Sequence, residues 1–253
     1  MRSALHAIAV LALILACSCS SDKVVKPTVF DAEKFFAMAN DRIENKEYKE
    51  ARELLTEVKN RDLTKKYAPL AQLRIADCYI KEEEPELAVA EYRKFIEFYP
   101  DHRYAPYAQY QIGLVYFNQI EGYERGYGEA EKALVEFEKL KKIYPRNPYR
   151  EIVELKIEQC KKIIVDYELM VGEFYMKRDN YPAAIARFSG VLKSYPDTEE
   201  KERIYFELAT AYKKAGDREK SKDLLNKLLK EYPSGSYAAD GKKELSSLNE
   251  KGK

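Results

Sequence analysis

"ADCYIKEEEPELAVAEYRKFIEFYP", residues 76–100, carries Ala76, Tyr79, Ala88, Tyr92 and Pro100 at the spacing of a tetratricopeptide repeat, in the order small, aromatic, small, aromatic, proline. The spacing encodes packing. A small residue on a first helix faces a small residue on a second, so the two backbones approach closely while aromatic rings fill the space beside them. Proline then ends the second helix, because it lacks the N–H for the next helical bond and pushes its predecessor out of the helical region.

The same frame extends in both directions. Counting back from Pro196 gives Gly172, Tyr175, Ala184 and Phe188, and counting back from Pro233 gives Ala209, Tyr212, Ser221 and Leu225. A third repeat carries Gly113, Tyr116, Ala133, Phe137 and Pro145, and a first carries Ala39, Ala51 and Leu55 without the proline. Four Tyr-Pro pairs, at Tyr99-Pro100, Tyr144-Pro145, Tyr195-Pro196 and Tyr232-Pro233, therefore punctuate five repeats. The expected fold is all-α, a superhelical solenoid with a concave face in which each repeat is stabilised by its neighbours. Most of the 21 tyrosines are structural in this reading.

Two irregularities break the register. Gly113 and Ala133 are 20 residues apart where the other repeats have 12, which places an eight-residue insertion around Glu121–Gly128. The insertion is read as a loop, since its glycines lack the Lys-Ser/Thr and the preceding strand of a phosphate-binding loop. The run from Tyr149 to Lys177 contains no proline and is read as one long helix with a bend allowed near Gly172. These features divide the chain into repeats 1–3 (31–145) and repeats 4–5 with a capping helix formed from Ser234 to Leu248 (146–248), followed by a tail (249–253).

The amino terminus reads as an address. Ala4 to Ala16 is an apolar run of 13 residues, shorter than the roughly 20 needed to span a bilayer, and it follows a single Arg2 in the manner of a secretory signal peptide. Ile14-Leu15-Ala16-Cys17 resembles a bacterial lipobox, which implies cleavage after residue 16, acylation of Cys17 and a lipidated tether over 17–30. Removing 1–16 leaves 43 basic and 43 acidic residues. A neutral chain has no long-range attraction for nucleic acid, which is excluded as a partner.

No catalytic or metal-binding pattern competes with the repeats. Cys78 and Cys160 lie within helical patterns and are read as unpaired small core residues, neither a zinc site nor a disulfide. His102 is read as a solvated turn residue and Glu82-Glu83-Glu84 as a solvated charge run at a helix end. The expectation is a non-enzymatic protein with no cofactor and no metal. In this architecture the first helix of each repeat lines the groove, which in repeats 1–3 offers Phe36, Asn40, Leu73, Asp77, Tyr107, Tyr110, Leu114 and Phe117. An aromatic surface with a few polar groups suits an extended or helical peptide bearing aromatic side chains, although several of these rings also suit packing between helices.

The stretch Tyr167-Glu-Leu-Met-Val-Gly-Glu-Phe-Tyr175, with Arg178, Tyr181-Pro-Ala-Ala, Arg187, Gly190 and Tyr195-Pro-Asp-Thr198, resembles the fourth repeat of the BamD family, also called YfiO or ComL. The resemblance covers nearly the whole chain and is weakest in the first repeat and after Pro233. It implies a lipid-anchored subunit of the outer membrane β-barrel assembly (Bam) complex, facing the periplasm from the outer membrane. As implied partners it brings the periplasmic POTRA domains of BamA, unfolded outer membrane β-barrel proteins and other Bam lipoproteins. By the same resemblance repeats 4–5 dock the partner, with Arg187 at the family's repeat-4 arginine, where an intramolecular pair with a nearby glutamate is the alternative. The rival reading is a periplasmic scaffold of another envelope process, a Tol-Pal type coordinator or part of a secretion or polysaccharide machine. Asp22 to Phe30 leaves no room for the coiled coil that such a coordinator places before its repeats.

The lipobox makes the first prediction. Acyl chains contribute about 0.8 kcal/mol per buried methylene and anchor firmly only when more than one is attached, so Cys17→Ala should abolish labelling by palmitate analogues and release the protein from the membrane fraction. Retention of both in the variant contradicts lipidation at Cys17.

Overall fold

The computed structural model describes residues 30–250; Cys17, the signal segment and the tail lie outside the described residues, apart from Phe30 and the start of the tail. Among the described residues there are eleven α-helices and one 3₁₀ turn and no strand. The first repeat pairs α1 (Ala32–Glu44) with α2 (Tyr48–Arg61), the second α3 (Ala68–Lys81) with α4 (Pro85–Phe98), and the third α5 (Ala105–Asn118) with α6 (Gly128–Ile143). The fourth pairs α7 (Arg150–Met176) with α8 (Tyr181–Ser194) and the fifth α9 (Lys201–Lys214) with α10 (Arg218–Glu231); α11 (Ala238–Glu250) follows. Each helix packs on the helices next to it in the chain. No described helix is long and apolar enough to cross a membrane.

The small residues sit where the repeat frame expects them. Ala39, Ala51, Ala76, Ala88, Ala133 and Ala184 are fully buried, as nearly are Ala209 and Ser221. The glycines of repeats 3 and 4 have a steric cause. A Cβ on Gly113 would lie 2.4 Å from the Phe137 ring, and one on Gly172 would lie 2.3 Å from Phe188. Where the facing second-helix residue is Leu55, Tyr92 or Leu225, the first helix carries alanine instead, at Ala39, Ala76 and Ala209. Helix α7 runs unbroken through Gly172, so this glycine makes room for a ring rather than a bend.

The repeats without the consensus punctuation use other devices. The turn after α2 lacks proline and is held by the buried Asp62 carboxylate, which accepts from the Tyr67 N–H at 2.6 Å and from the Ala68 N–H at 3.0 Å. Burial would raise its pKa, but the hydrogen bonds from Thr64, Tyr67 and Ala68 outweigh burial and hold it below the usual carboxylate range. Within repeats 1, 2, 4 and 5 the turn between paired helices places Lys46, Glu83, Asp179 and Gly216 at positive φ, so Glu83 of the acidic run is the left-handed turn residue. Glu83 and Glu84 are exposed, as expected of a solvated run, whereas Glu82 is half-buried and pairs with Arg52.

Helix α7 is 27 residues long where the other first helices have 13 or 14, and residue spacing explains the excess. Eight, twelve and fifteen residues beyond each proline lie the side chains that face the preceding repeat: Ala108, Ile112 and Val115 after Pro100, and Ile204, Leu208 and Ala211 after Pro196. Val153, Ile157 and Cys160 occupy those offsets after Pro145 and are buried in the same way. Gly241, Leu245 and Leu248 occupy them on the terminal helix α11. The first half of α7 thus closes repeats 1–3 as α11 closes repeat 5. Its second half supplies Gly172 and begins repeat 4.

Cys78 and Cys160 are buried and free, and burial pushes each thiol up to about 11, which keeps it neutral and unreactive. His102 departs from the solvated turn residue expected of it. It is half-buried, edge-on to Phe95 at 5.4 Å, and burial, then the charge of Arg103, lowers its pKa.

The Gly172–Phe188 contact is testable. Overpacking a filled core costs about 1–3 kcal/mol while glycine to alanine within a helix returns up to about 1 kcal/mol, so Gly172→Ala should be net destabilising by about 1–2 kcal/mol in urea unfolding. Adding Phe188→Leu recreates the Ala–Leu pairing of repeats 1 and 5 and should cost less than it does alone. Strict additivity of the two changes contradicts the contact.

Candidate functional site

The eight groove residues expected from sequence all lie on first helices, and the structure sorts all but Asn40 into two groups. Phe36, Leu73, Tyr110, Leu114 and Phe117 are engaged in packing. Leu73 is buried in the core of repeats 2 and 3. Phe36 lies 5.5 Å from the Tyr67 ring, and Leu114 joins the core cluster of repeat 3. Tyr110 stacks flat on Tyr149 at 4.5 Å, and Phe117 lies between Phe137 and the Lys156 ammonium, 3.7 Å from its ring centre. Tyr149 and Lys156 flank or belong to the first half of α7, so the aromatic residues of repeat 3 hold that helix in place.

Asp77 and Tyr107 form the second group, together with Tyr92. Asp77 Oδ1 accepts the Tyr92 hydroxyl at 2.6 Å and the Tyr107 hydroxyl at 2.9 Å, and Oδ2 faces the Arg74 guanidinium at 3.4 Å. Burial, then the charge of Asp77, raises the pKa of both tyrosines, so both hydroxyls stay protonated as donors. These residues border an open cavity of about 380 Å³ that spans the first helices of repeats 1, 2 and 3 and is also lined by Ile43, Ile80, Lys81 and Gln111. Asn40 is half-buried one turn before Ile43. Sequence reasoning missed Arg74, Ile80, Lys81, Ile43 and Gln111. Each lies three or four residues along its helix from Asp77, Asn40 or Tyr107, the spacing that shares a helical face.

Arg187 lies on α8 and its guanidinium bonds both oxygens of Glu168 on α7, at 3.2 and 3.1 Å. The register shows what this pair is. Glu168 lies four residues before Gly172 and Arg187 one before Phe188, and the same two positions hold Gln72 with Glu91 in repeat 2 and Gln109 with Glu136 in repeat 3. Gln109 donates to the Glu136 carboxylate at 2.8 Å and to its backbone carbonyl at 3.1 Å, and Gln72 bonds Glu91 likewise. A polar clasp across the paired helices therefore recurs in repeats 2, 3 and 4, with the donor transferred to the second helix in repeat 4. The Tyr127 ring, at the end of the insertion, packs edge-on to Tyr167 at 5.0 Å and brings the insertion beside Glu168. Between repeats a second link recurs. The residue after the small one reaches a residue seven beyond the next proline, as Asp77 reaches Tyr107 and Glu173 reaches Arg203.

Paired helices meeting at small residues, with proline-ended second helices and a groove along the first helices, define a tetratricopeptide repeat protein built for binding another polypeptide. Within that class the family profile described as outer membrane lipoprotein, YfiO, matches residues 30–224, and the chain belongs to that family. It is 28% identical over 199 residues to the outer membrane protein assembly factor BamD of Vibrio cholerae, across 75% of this chain and 82% of the relative. The protein of the same name from Neisseria meningitidis serogroup A is 27% identical over 218 residues, 82% of each chain. Among solved structures, the TPR2AB-domain:pHSP90 complex of yeast Sti1 is similar over 87% of both chains at 18% identity, with a TM-score of 0.45.

The recurring clasp yields a substitution that removes the guanidinium without removing the contact. Glu168→Gln with Arg187→Glu gives repeat 4 the arrangement of repeats 2 and 3. With the Arg187 and Glu168 side chains 41% and 14% exposed, solvent discounts the pair to about 1 kcal/mol or less, and the double variant should melt within a few degrees of the parent. Arg187→Ala alone, which strands Glu168, should melt lower than the double variant. The reverse order contradicts the clasp.

Proposed function

We propose that this chain is a non-enzymatic, lipid-anchored subunit of outer membrane protein assembly, held at the outer membrane through Cys17 and facing the periplasm. Repeats 1–3 receive unfolded outer membrane β-barrel proteins, and repeats 4–5 dock on the periplasmic POTRA domains of a BamA partner, in company with other Bam lipoproteins. The observation that carries this reading is the family match over 30–224, which covers repeats 1–4 and reaches midway along α10 in repeat 5, in relatives named as assembly factors rather than as coordinators of another envelope process.

The groove supports the first half of the reading. The cavity across repeats 1–3 offers Ile43 and Ile80 as apolar wall and Arg74, Lys81 and Gln111 as polar rim, a combination suited to an extended segment with alternating aromatic and polar side chains. Phe36 and Asn40 continue the first-helix face towards the amino terminus, whereas Leu73, Tyr110, Leu114 and Phe117 serve in packing between helices.

Support for the second half is electrostatic and steric. Residues 201–253 hold 13 basic and 9 acidic residues, a mild positive bias that orients an acidic partner over roughly 8 Å in physiological salt. The partly exposed Arg187 guanidinium retains N–H donors beyond those given to Glu168, and a partner carboxylate is a suitable acceptor for them.

A photo-crosslinking residue placed at Gln111 in envelopes making new barrel proteins should capture their unfolded precursors, while the same probe at the exposed Glu97 on α4 should not. Equal capture at both positions contradicts a specific groove. The Glu168→Gln, Arg187→Glu double variant, folded as the parent, should copurify less BamA-type partner; undiminished copurification removes Arg187 from the docking surface.

A further inference from the structure

The most exposed large apolar side chain among the described residues lies outside the groove. Leu63 is 93% exposed in the turn between α2 and α3. A single exposed leucine is ordinary on a protein surface, but this one is held out by the turn itself. The buried Asp62 carboxylate accepts the Thr64 N–H at 3.0 Å and the Thr64 hydroxyl at 2.6 Å, besides the N–H groups of Tyr67 and Ala68. Lys65 stands at positive φ, and its N–H closes the turn on the Asp62 carbonyl at 3.2 Å. The backbone on both sides of Leu63 is therefore fixed.

Charge and position point to what meets this tip. Residues 59–66 contain Lys59, Arg61, Lys65 and Lys66 against Asp62 alone. Arg61 faces Glu57 at 3.0 Å and Lys66 faces Glu33 at 3.8 Å, whereas Lys65 makes no ion pair among the described residues. The Arg61 guanidinium also covers the Phe30 ring at 4.4 Å, so Leu63, two residues further on, lies close to where the chain from Cys17 enters the fold. Residues 18–29 separate Cys17 from Phe30, a reach of about 45 Å at most when fully extended. Because successive helices alternate in direction, every turn between repeats lies on the edge where α1 begins. On that edge Phe98 and Ile143, each two residues before its proline, are exposed in repeats 2 and 3, while repeats 4 and 5 place Ser194 and Glu231 there.

We infer that the Leu63 turn rests on the lipid surface of the membrane that holds the protein's own anchor, with Leu63 entering the acyl boundary and Lys65 and Lys66 facing anionic headgroups. One apolar side chain and a few cations bind a bilayer only marginally by themselves. Anchorage at Cys17 makes the contact intramolecular, and a short tether keeps its effective concentration high. A contact on this edge restricts rotation of the solenoid about its tether and leaves the face of the first helices open. The inference rests on lipidation at Cys17.

The chain contains no tryptophan, so Leu63→Trp supplies a unique fluorophore, and Asn45→Trp, beyond the other end of the 13-residue α1, supplies its control about 20 Å away. Each full-length variant, purified from envelopes in detergent, is reconstituted into vesicles of phosphatidylethanolamine and phosphatidylglycerol with brominated acyl chains. Emission from position 63 should shift to shorter wavelength and lose intensity to the bromines, while emission from position 45 stays unshifted and unquenched. Adding Lys65→Glu and Lys66→Glu to Leu63→Trp should reduce the quenching. Equal quenching at both positions, or none at position 63 in protein that floats with the vesicles, overturns the membrane contact while leaving the anchor intact. Shielding of position 63 that appears only when solubilised envelope proteins are added assigns the turn to a protein partner and overturns it too. Protein that fails to float with the vesicles overturns the anchor and this inference with it.

Discussion

Close approach of paired helices at a small residue is the constraint on which the rest of the molecule depends. Each repeat fixes two short helices by letting their backbones touch, and the second-helix residue one turn later fills the remaining space. The pairing is reciprocal in size. A phenylalanine at that position demands glycine opposite, as at Gly113 and Gly172, and a leucine or a tyrosine tolerates alanine. Protein interiors are packed to crystal density, so the exchange of one methyl for ring volume is felt as a whole unit and not absorbed by slack. Once each pair is set, the polar clasps that cross it and the links to the next repeat fall at fixed register positions.

Helix α7 is where the repeat rule is bent for a purpose. Its first half presents the three-residue face with which every later first helix covers the preceding repeat, but Glu158 stands where a small residue would admit a partner helix. The helix therefore continues for thirteen residues before Gly172 starts the next pair. Aromatic and cation–π contacts of Tyr149 with Tyr110, of Lys156 with Phe117 and of Tyr167 with the insertion residue Tyr127 pin this shared helix to repeat 3. A helix common to both halves is a rigid means of fixing their relative placement, whereas a loop would leave it free.

The five repeats, the insertion, the long helix and the capping helix were legible in the sequence because packing writes small residues, rings and prolines at fixed intervals. The groove was legible only in part. Asp77 and Tyr107, expected on the first helices, border the cavity, but the helical positions themselves do not say whether a side chain faces a ligand or a neighbouring helix. Tyr110 and Phe117 look like groove residues until Tyr149 and Lys156, about forty residues later, are seen to lie on them. Lys81 and Gln111 carry no compositional signal at all in a chain with 34% charged residues. Arg187 illustrates the same limit from the other side: a familiar residue in a motif gains its structural meaning only when Gln72–Glu91 and Gln109–Glu136 show the register it shares.

The central claim is a division of labour, with polypeptide captured by the first helices of repeats 1–3 and partner docking left to repeats 4–5. Amide hydrogen exchange of the full chain, with and without an unfolded outer membrane barrel protein, tests it most directly, because ligand contact and local stabilisation slow exchange in the elements that bear them. The account predicts added protection in the last turns of α1 and α3 and along α5, with α8 to α10 unchanged. Protection concentrated in α8 to α10, with α1, α3 and α5 unaffected, contradicts it.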